Sequence, residues 1–276
     1  VRRRMPTEPI ADESPRTLKT VERAAEIIEA LETLDGAGVT ELSDHLGVSK
    51  SSVYHYLATL RKEDFVVKNG DQYELGLQLL LVGEYVRNRN LLYRYGKEEV
   101  EELADTTGEY ANLFTEEHGK GINLYKVRGS DAVGSGYQTD KLQQPDDLHC
   151  TATGKAILAF LPDERVHTIL DQHGLPERTA NTITDRDALL DELDAVRDQG
   201  YAYNDEEEVE GLRAVGAPVI DRGDNVLGSL SVAGPTSRLK GEQFAEQLPE
   251  QVQRAANVIE VNINMATHDT DSTRRR

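Results

Sequence analysis

Residues 40–76 read TELSDHLGVSKSSVYHYLATLRKEDFVVKNGDQYELG. The first part predicts a short helix that Thr40 caps and that Gly47 ends with a tight turn. Ser49 caps the next helix, which extends to Lys62 and carries apolar residues at helical spacing. Three residues separate the two helices, and this spacing predicts a helix-turn-helix.

Two flanking segments extend this motif to a winged helix-turn-helix over residues 17–76. An amphipathic helix from Leu18 to about Asp35 precedes it, with apolar residues at helical intervals. Residues 65–75 contain two short extended runs around Asn69-Gly70, which is a strong hairpin signal. The hairpin is the predicted wing.

The helix from Ser49 to Lys62 has one apolar and one polar face. On a helical wheel Val53 and Leu57 lie on the inner face, whereas Ser51 and His55 lie on the outer face. Small or hydrogen-bonding side chains there suit base edges in a DNA groove, and flanking residues suit phosphates. The residues predicted to contact DNA are Lys50, Ser51, Ser52, Tyr54, His55, Thr59, Arg61 and Lys62. The alternative is an ordinary solvated helix face, which the preceding helix and the wing disfavour.

The net charge of -19 is unusual for a protein that binds nucleic acid. Residues 1–75 carry a net charge of -4 and the remaining residues -15, and Gly47 to Lys62 contain no Asp or Glu. The 10 lysines beside 21 arginines, with abundant acid, indicate a proteome adapted to high salt. Because the Debye length falls to about 3 Å at 1 M salt, base contacts and dimerisation should carry much of the affinity.

Beyond the wing, the pattern predicts a linker and dimer helix at 77–95 and an α/β domain at 96–266. The six predicted strands lie near 110–116, 121–128, 132–137, 201–204, 212–220 and 226–233. The predicted helices of this domain include 153–160, 163–173, 185–199 and a final helix at about 241–265. Residues 1–16 are predicted to be a disordered arm and 267–276 a disordered tail.

Composition argues against several classes of protein. No apolar run approaches the roughly 18 residues of a membrane span, and the first residues lack a leader pattern, so we expect a cytoplasmic protein without membrane partners. The single Cys150 provides neither an internal disulfide nor a CxxC metal site. We predict no cofactor, no metal and no catalytic residue. A hydrolase or transferase would need a catalytic constellation, and His149 beside Cys150 lacks a third orienting group.

Several motifs together resemble one known family. In the N-terminal half they are 40–53, 57–60 and 73–76. In the C-terminal half they are LHCTATGKAILA at 148–159, the segment from DEE at 205–207 through GLRA at 211–214 to APV at 217–219, and SLSVAGP at 229–235. With these motifs in order, the chain resembles the isocitrate-lyase-regulator (IclR) family of transcription factors over nearly its whole length.

The resemblance implies an α+β protein in which a winged helix is joined by a linker helix to a GAF/profilin-like α/β effector domain with a six-stranded, mainly antiparallel sheet. Such proteins bind double-stranded operator DNA as homodimers or dimers of dimers. They bind a small effector between the sheet and a loop-helix. The positions that match family effector contacts are Ala152, Thr153, Asn204, Leu212, Ala214, Ser231 and Ala233. The family usually has Arg at the position of His55, so the operator sequence cannot be carried over.

The effector is expected to be a small organic acid, either a sugar acid or an aromatic acid, that controls a catabolic operon. The loop Thr151 to Gly154 opens a helix and suits an anion, but a tight strand-to-helix turn would require the same small residues. Alternation places Ser229 with Ser231 and Ala233 on one strand face. Some family members have a carboxylate at the position of Asn204. The alternative function is a protein-interaction or sensor module whose winged helix no longer binds DNA.

Overall fold

The computed structural model describes residues 17–134 and 144–274. The chain forms two compact units, one ending at Val86 and the other beginning at Arg87. The predicted arm at 1–16 lies outside the described residues.

The first unit contains three complete helices, a β-hairpin and most of a fourth helix. Its elements are α1 (Lys19–Thr33), α2 (Val39–Leu46), α3 (Lys50–Lys62), β1 (Val66–Asn69), β2 (Gln72–Leu75) and α4 (Gln78–Arg89), the last of which crosses the boundary between the units. Thr40 does not cap α2, because the cap position is Gly38, two residues earlier, and Thr40 lies inside the first turn. Ala37 exchanges both backbone hydrogen bonds with Tyr73 of β2, so the chain turns from an extended pairing into α2 at Gly38.

The core of this unit joins the three helices to the hairpin. Ile27 and Leu31 of α1 are buried against Leu57 of α3, and the wing contributes Val66 and Tyr73. The buried face predicted for α3 is therefore correct. The strands pair antiparallel from Val66–Leu75 to Asn69–Gln72, so the turn comprises residues 70 and 71, one step beyond the Asn-Gly pair on which the hairpin prediction rested.

Helix α4 buries none of its residues within this single chain. Five of its large apolar side chains, those of Leu80, Leu81, Val82, Tyr85 and Val86, are 45% to 65% exposed, and Leu77 just before the helix is 79% exposed. A helix with so much exposed apolar surface is unusual unless another surface covers it.

The second unit contains a sheet covered by helices on both faces. Its elements are α5 (Leu91–Thr107), β3 (Tyr110–Glu117), β4 (Lys120–Arg128), α6 (Ala152–Leu158), α7 (Asp163–His173), α8 (Arg186–Gln199), β5 (Ala202–Asp205), β6 (Leu212–Ile220), β7 (Val226–Pro235), a π-helical turn (Gln243–Gln247) and α9 (Leu248–Arg274). Helices α5 and α9 pack on one face of the sheet, and α6 lies on the other with α7 and α8 behind it. The predicted α+β class is confirmed.

The described sheet has five antiparallel strands in the order β4-β3-β7-β6-β5, so the predicted count of six is wrong. Ala132 to Gly134 of the expected strand at 132–137 form no strand, and 135–137 lie outside the described residues. Both backbone groups of Ala132 are engaged in local hydrogen bonds instead of strand pairing. The Ala132 N–H donates to the Gly129 carbonyl, and the Arg128 guanidinium donates to the Ala132 carbonyl.

The last helix also differs from its predicted bounds. It continues to Arg274 instead of ending near Met265, and it therefore runs through most of 267–276, the segment predicted as a disordered tail. In the described ranges, we find no helix with the length and apolar character needed to cross a membrane.

Candidate nucleic-acid interface and ligand cavity

The outward face of α3 is open to solvent. Of the eight residues predicted to contact DNA, Ser52 is half-buried and the other seven are exposed. Helix α3 places Ser51, His55 and Lys62 on the side opposite its buried residues Val53 and Leu57. The side chains therefore reach away from the core, as a helix that enters a DNA groove requires.

Local interactions fix the start of α3. The Ser49 hydroxyl accepts a hydrogen bond from the Ser52 backbone N–H at 3.2 Å, as an N-cap does. Gly47 ends α2 with φ of 64°, a conformation that glycine adopts without steric cost. The Ser43 hydroxyl donates to the Val48 carbonyl at 2.6 Å and closes the turn between the helices. Each of these hydrogen bonds joins residues that are at most five positions apart in the sequence.

A concave surface lies between the start of α2, the first half of α3 and the wing. Tyr54 and Lys68 line it together with the carboxylates of Glu41, Asp44 and Asp71. Carboxylates beside a phosphate-binding face weaken the long-range attraction to DNA. The acidity of the protein thus extends to the edge of the candidate interface.

The second unit contains a cavity that is open to solvent on one side. All seven residues that match family effector contacts line it, although they come from a loop-helix and three separate strands. Thr151, from the loop that was expected to suit an anion, also lines it. The other lining residues, which sequence reasoning missed, are Asn112, Phe114, Asn123, Lys126, Asp146 and Glu208.

Strand register explains how these residues meet. One row across the sheet pairs Lys126 with Asn112, then Asn112 with Ser231 and Ser231 with Gly216. The next row pairs Ala233 with Ala214 and Ala214 with Asn204. These two rows form the floor of the cavity.

A β-bulge places Asn123 beside this floor. Leu113 pairs with Tyr125, but Phe114 pairs with Asn123, so β4 carries one extra residue at this point. Strict alternation from Lys126 would direct Asn123 to the opposite face. Asn112 and Lys126 lie on predicted strands, and alternation alone did not show that their side of the sheet faced a ligand cavity.

The loop before α6 forms the other wall. The Thr151 hydroxyl accepts the Gly154 backbone N–H at 3.0 Å and thereby uses one donor of the first helical turn. A Cβ at Gly154 would lie 2.1 Å from the Leu148 carbonyl oxygen, and a Cβ at Gly216 would lie 2.9 Å from the carbonyl carbon of Ala152. Close backbone packing therefore requires glycine at both positions, as the tight-turn interpretation expects.

A buried ion pair supports Asn204. Lys155 is 1% exposed, and its ammonium group lies 2.6 Å from Glu207 and 3.0 Å from Glu192. The Glu207 backbone N–H donates to the Asn204 Oδ1 at 2.9 Å. Burial raises the pKa of Glu207, and the ion pair with Lys155 opposes this shift. The contacts connect α6 to the loop that carries Asn204.

Two amide oxygens in the cavity are buried without a hydrogen-bond partner in the described chain, Asn112 Oδ1 and Asn123 Oδ1. The Asn112 Nδ2 donates to the Ser231 hydroxyl at 3.4 Å, which orients the amide. Buried acceptors are almost always paired in folded proteins. The Asn112 and Asn123 amide oxygens can therefore accept hydrogen bonds from a bound molecule.

His149 and Cys150 make separate contacts. The His149 Nε2 lies 3.1 Å from the Pro176 carbonyl oxygen, whereas the Cys150 thiol lies 3.8 Å from the Asp147 carbonyl oxygen. Burial lowers the pKa of His149 and favours its neutral form. For Asp147, burial acts to raise the pKa, but hydrogen bonds from Lys120 and Arg178 hold it below its ordinary value.

Both units match family models. Residues 20–70 match the IclR helix-turn-helix domain, and residues 83–261 match the Bacterial transcriptional regulator IclR C-terminal domain. The second match alone covers more than half of the chain.

Similar proteins agree with these matches. The chain is 41% identical to the probable HTH-type transcriptional regulator ArcR of Halobacterium salinarum over 91% of this chain and 96% of the relative. It is 32% identical to the HTH-type transcriptional regulator KdgR of Escherichia coli over 85% of this chain and 89% of the relative. The halobacterial relative supports the halophilic source inferred from composition.

A solved structure agrees as well. The crystal structure of the Thermotoga maritima IclR aligns with a TM-score of 0.70 and 26% identity over 90% of this chain and all of that one. The relatives are named as transcriptional regulators, and their family is one of regulators rather than enzymes. The chain belongs to the IclR family of transcriptional regulators.

Proposed function

We propose that the protein is a dimeric regulator that controls a catabolic operon, binds operator DNA through α3 and changes its DNA affinity when a small organic acid enters the cavity. The observation that carries the proposal is the pairing of an exposed α3 face with a cavity lined by all seven family effector positions. A regulator needs both a DNA contact and a separate ligand site.

On α3, Ser51 and His55 are proposed to meet base edges, with Ser52 beside them. The side chains proposed to position the helix on phosphates are Lys50, Tyr54, Thr59 and Arg61, whereas Lys62 lies on the outward face. The run from Gly47 to Lys62 contains no carboxylate, so this helix can approach DNA although the protein is acidic. Its basic residues Arg61 and Lys62 lie in the last turn, where their positive charges also interact favourably with the negative end of the helix dipole.

The linker segment 77–95 is proposed to pair with its counterpart in a second chain. Leu80, Leu81 and Tyr85 of α4 are each more than half exposed in the single chain. Pairing would bury this apolar surface at roughly 25 cal/mol for each Å² removed from water. A dimer would also present two copies of α3 to two operator half-sites.

A mobility-shift assay with DNA upstream of the protein's own gene, at several salt concentrations, tests the DNA half of the proposal. Ser51→Glu with His55→Glu should eliminate the shift, because two carboxylates would face the groove. The matched control, Asn257→Glu, changes an exposed residue of α9 and should bind normally. Binding that survives the double substitution would mean that α3 is not the reading helix and would favour the protein-interaction alternative.

Asn204→Leu tests the effector half. It should abolish the ligand's effect on operator binding and leave DNA affinity without ligand unchanged. Asn257→Leu is the matched control, because it makes the same amide-to-leucine change at an exposed position of α9 outside the cavity. An unchanged ligand response in Asn204→Leu would contradict the cavity assignment.

A further inference from the structure

Strand β4 has different neighbours on its two faces. Asn123 lines the cavity on one face. Leu124 and Tyr125, which follow it directly, pack against the hydrophobic core on the side of α5 and α9. The β-bulge permits this arrangement, because Leu124 is the extra residue of β4 relative to β3. A molecule that contacts Asn123 therefore acts on the same short segment that carries Tyr125.

One face of α5 holds the Tyr125 side chain. The Tyr125 hydroxyl donates to Glu101 Oε1 at 2.6 Å, and Lys97 Nζ lies 5.6 Å from the Tyr125 ring centroid. Tyr93 meets this ring edge to face, with the two centroids 5.7 Å apart. Residues 93, 97 and 101 are spaced four apart, so they follow one face of the helix over successive turns. Because such ring contacts depend on orientation, a shift of Tyr125 changes the contacts of α5.

Tyr93 also contacts the end of α4. The guanidinium carbon of Arg87, in the last turn of α4, lies 4.9 Å from the Tyr93 ring centroid, and both residues belong to the second unit. The charge of Arg87 reaches Tyr125 as well. Burial and the hydrogen bond to Glu101 raise the pKa of Tyr125 to about 12, and Arg87 opposes this shift. Asn90 alone separates α4 from α5, so the joint between the two helices is short.

We propose that Tyr125 is a positioning residue that transmits occupation of the cavity to the last turn of α4 through Tyr93 and Arg87. The inference rests on the proposed function, because the cavity is the effector site there. Side chains in direct contact can carry energetic coupling between distant sites. This route begins beside Asn123 and ends in α4, the helix that crosses the boundary between the units.

A tethered group can stand in for the effector. Asn123→Cys, modified with sulfonatoethyl methanethiosulfonate, places an added group at the cavity wall of the full-length protein. Labelling should change the amide hydrogen exchange of residues 87–89 by about threefold or more, since coupling along such contacts is modest. The unaltered protein treated with the same reagent is the labelling control, because its Cys150 is 1% exposed.

Two further substitutions test the route in the Asn123→Cys background. Tyr125→Leu should abolish the exchange response to labelling. Tyr203→Leu is its matched control, because it removes another half-buried tyrosine with a ring contact and a hydrogen bond, from the opposite edge strand β5. It should leave the response intact. Arg87→Gln takes the cation from the Tyr93 ring and leaves every strand residue in place, so it should abolish the response even if Tyr125→Leu folds poorly.

Two results would overturn the inference. One is an unchanged exchange rate at the end of α4 after labelling. The other is a response that survives both Tyr125→Leu and Arg87→Gln.

Operator binding by the same proteins separates this inference from the proposed function. If operator DNA is bound and α4 does not respond to labelling, the route through Tyr125 is wrong and the proposed regulator stands. If α4 responds through Tyr125 but the unaltered protein does not shift operator DNA, the route stands and the proposed function fails.

Discussion

The outward face of α3 is built from residues that are close together in the sequence, whereas the ligand cavity is built from residues that are far apart in it. The α3 face comes from one continuous helix, held by contacts such as Ser49 to Ser52. The cavity joins Asn112, Asp146 and Asn204, which are far apart in the chain, and depends on a buried ion pair at Lys155. A local surface should therefore tolerate single changes better than a surface assembled over long range.

The largest expected effect is at Lys155. Lys155→Met would leave Glu207 buried without its cation, and breaking such a pair costs about 3–5 kcal/mol of unfolding free energy. Denaturant unfolding, monitored separately for the two units by hydrogen exchange, should show this loss in the second unit and none in the first. Lys240→Met is the matched control, because Lys240 is exposed. An equal, small loss in both variants would show that the cavity does not rely on the ion pair.

A smaller effect is expected at Ser49. Ser49→Ala removes the cap of α3 and should cost about 1 kcal/mol. Faster amide exchange in the first turn of α3 would report it, while exchange in the second unit stays unchanged. Ser49→Asp retains a capping oxygen and should behave like the unaltered protein. If Ser49→Ala destabilised both units, the expectation that the α3 face depends on local contacts would be wrong.

The smallest effect concerns pH and His149. Burial lowers the pKa of His149 in the folded protein, so the unfolded chain binds its proton more readily. The stabilisation from neutral His149 is therefore present above its unfolded pKa of about 6.5 and is lost as pH falls below that value. The free energy of unfolding should decline between pH 7 and pH 5, and less steeply in His149→Gln.

His167→Gln is the control for that measurement, since His167 is exposed. It should retain the full pH dependence. An identical slope in His149→Gln would mean that other groups control acid stability. Asp147 also loses its favourable contacts with Lys120 and Arg178 on protonation, but only at pH values below the ordinary carboxyl pKa.

The same contrast explains what could be predicted from sequence. Helical periodicity was enough to separate Val53 and Leu57 from Ser51 and His55, because a helix has one fixed period. The cap at Thr40 was wrong because pairing of Ala37 with β2, a tertiary contact, sets where α2 begins. Local signals predict local structure and miss the contacts that override it.

The cavity was harder to predict. Family motifs, not periodicity, identified Asn204 and the other six positions. Asn123 was not predicted to line the cavity because a β-bulge changes which face of β4 it occupies, and bulges have a weak sequence signal. The strand expected at 132–137 had suitable residues, but no pattern showed that turn hydrogen bonds would use the backbone near Ala132.

Gly216 has a consequence for how such a regulator could diversify. It holds the α6 loop against the sheet because any side chain would meet the backbone of Ala152 and Thr153. A larger residue would push that wall outward and alter the space for a ligand without touching the ligand itself. New effector sizes can therefore arise at a position that a survey of ligand-contacting side chains would overlook.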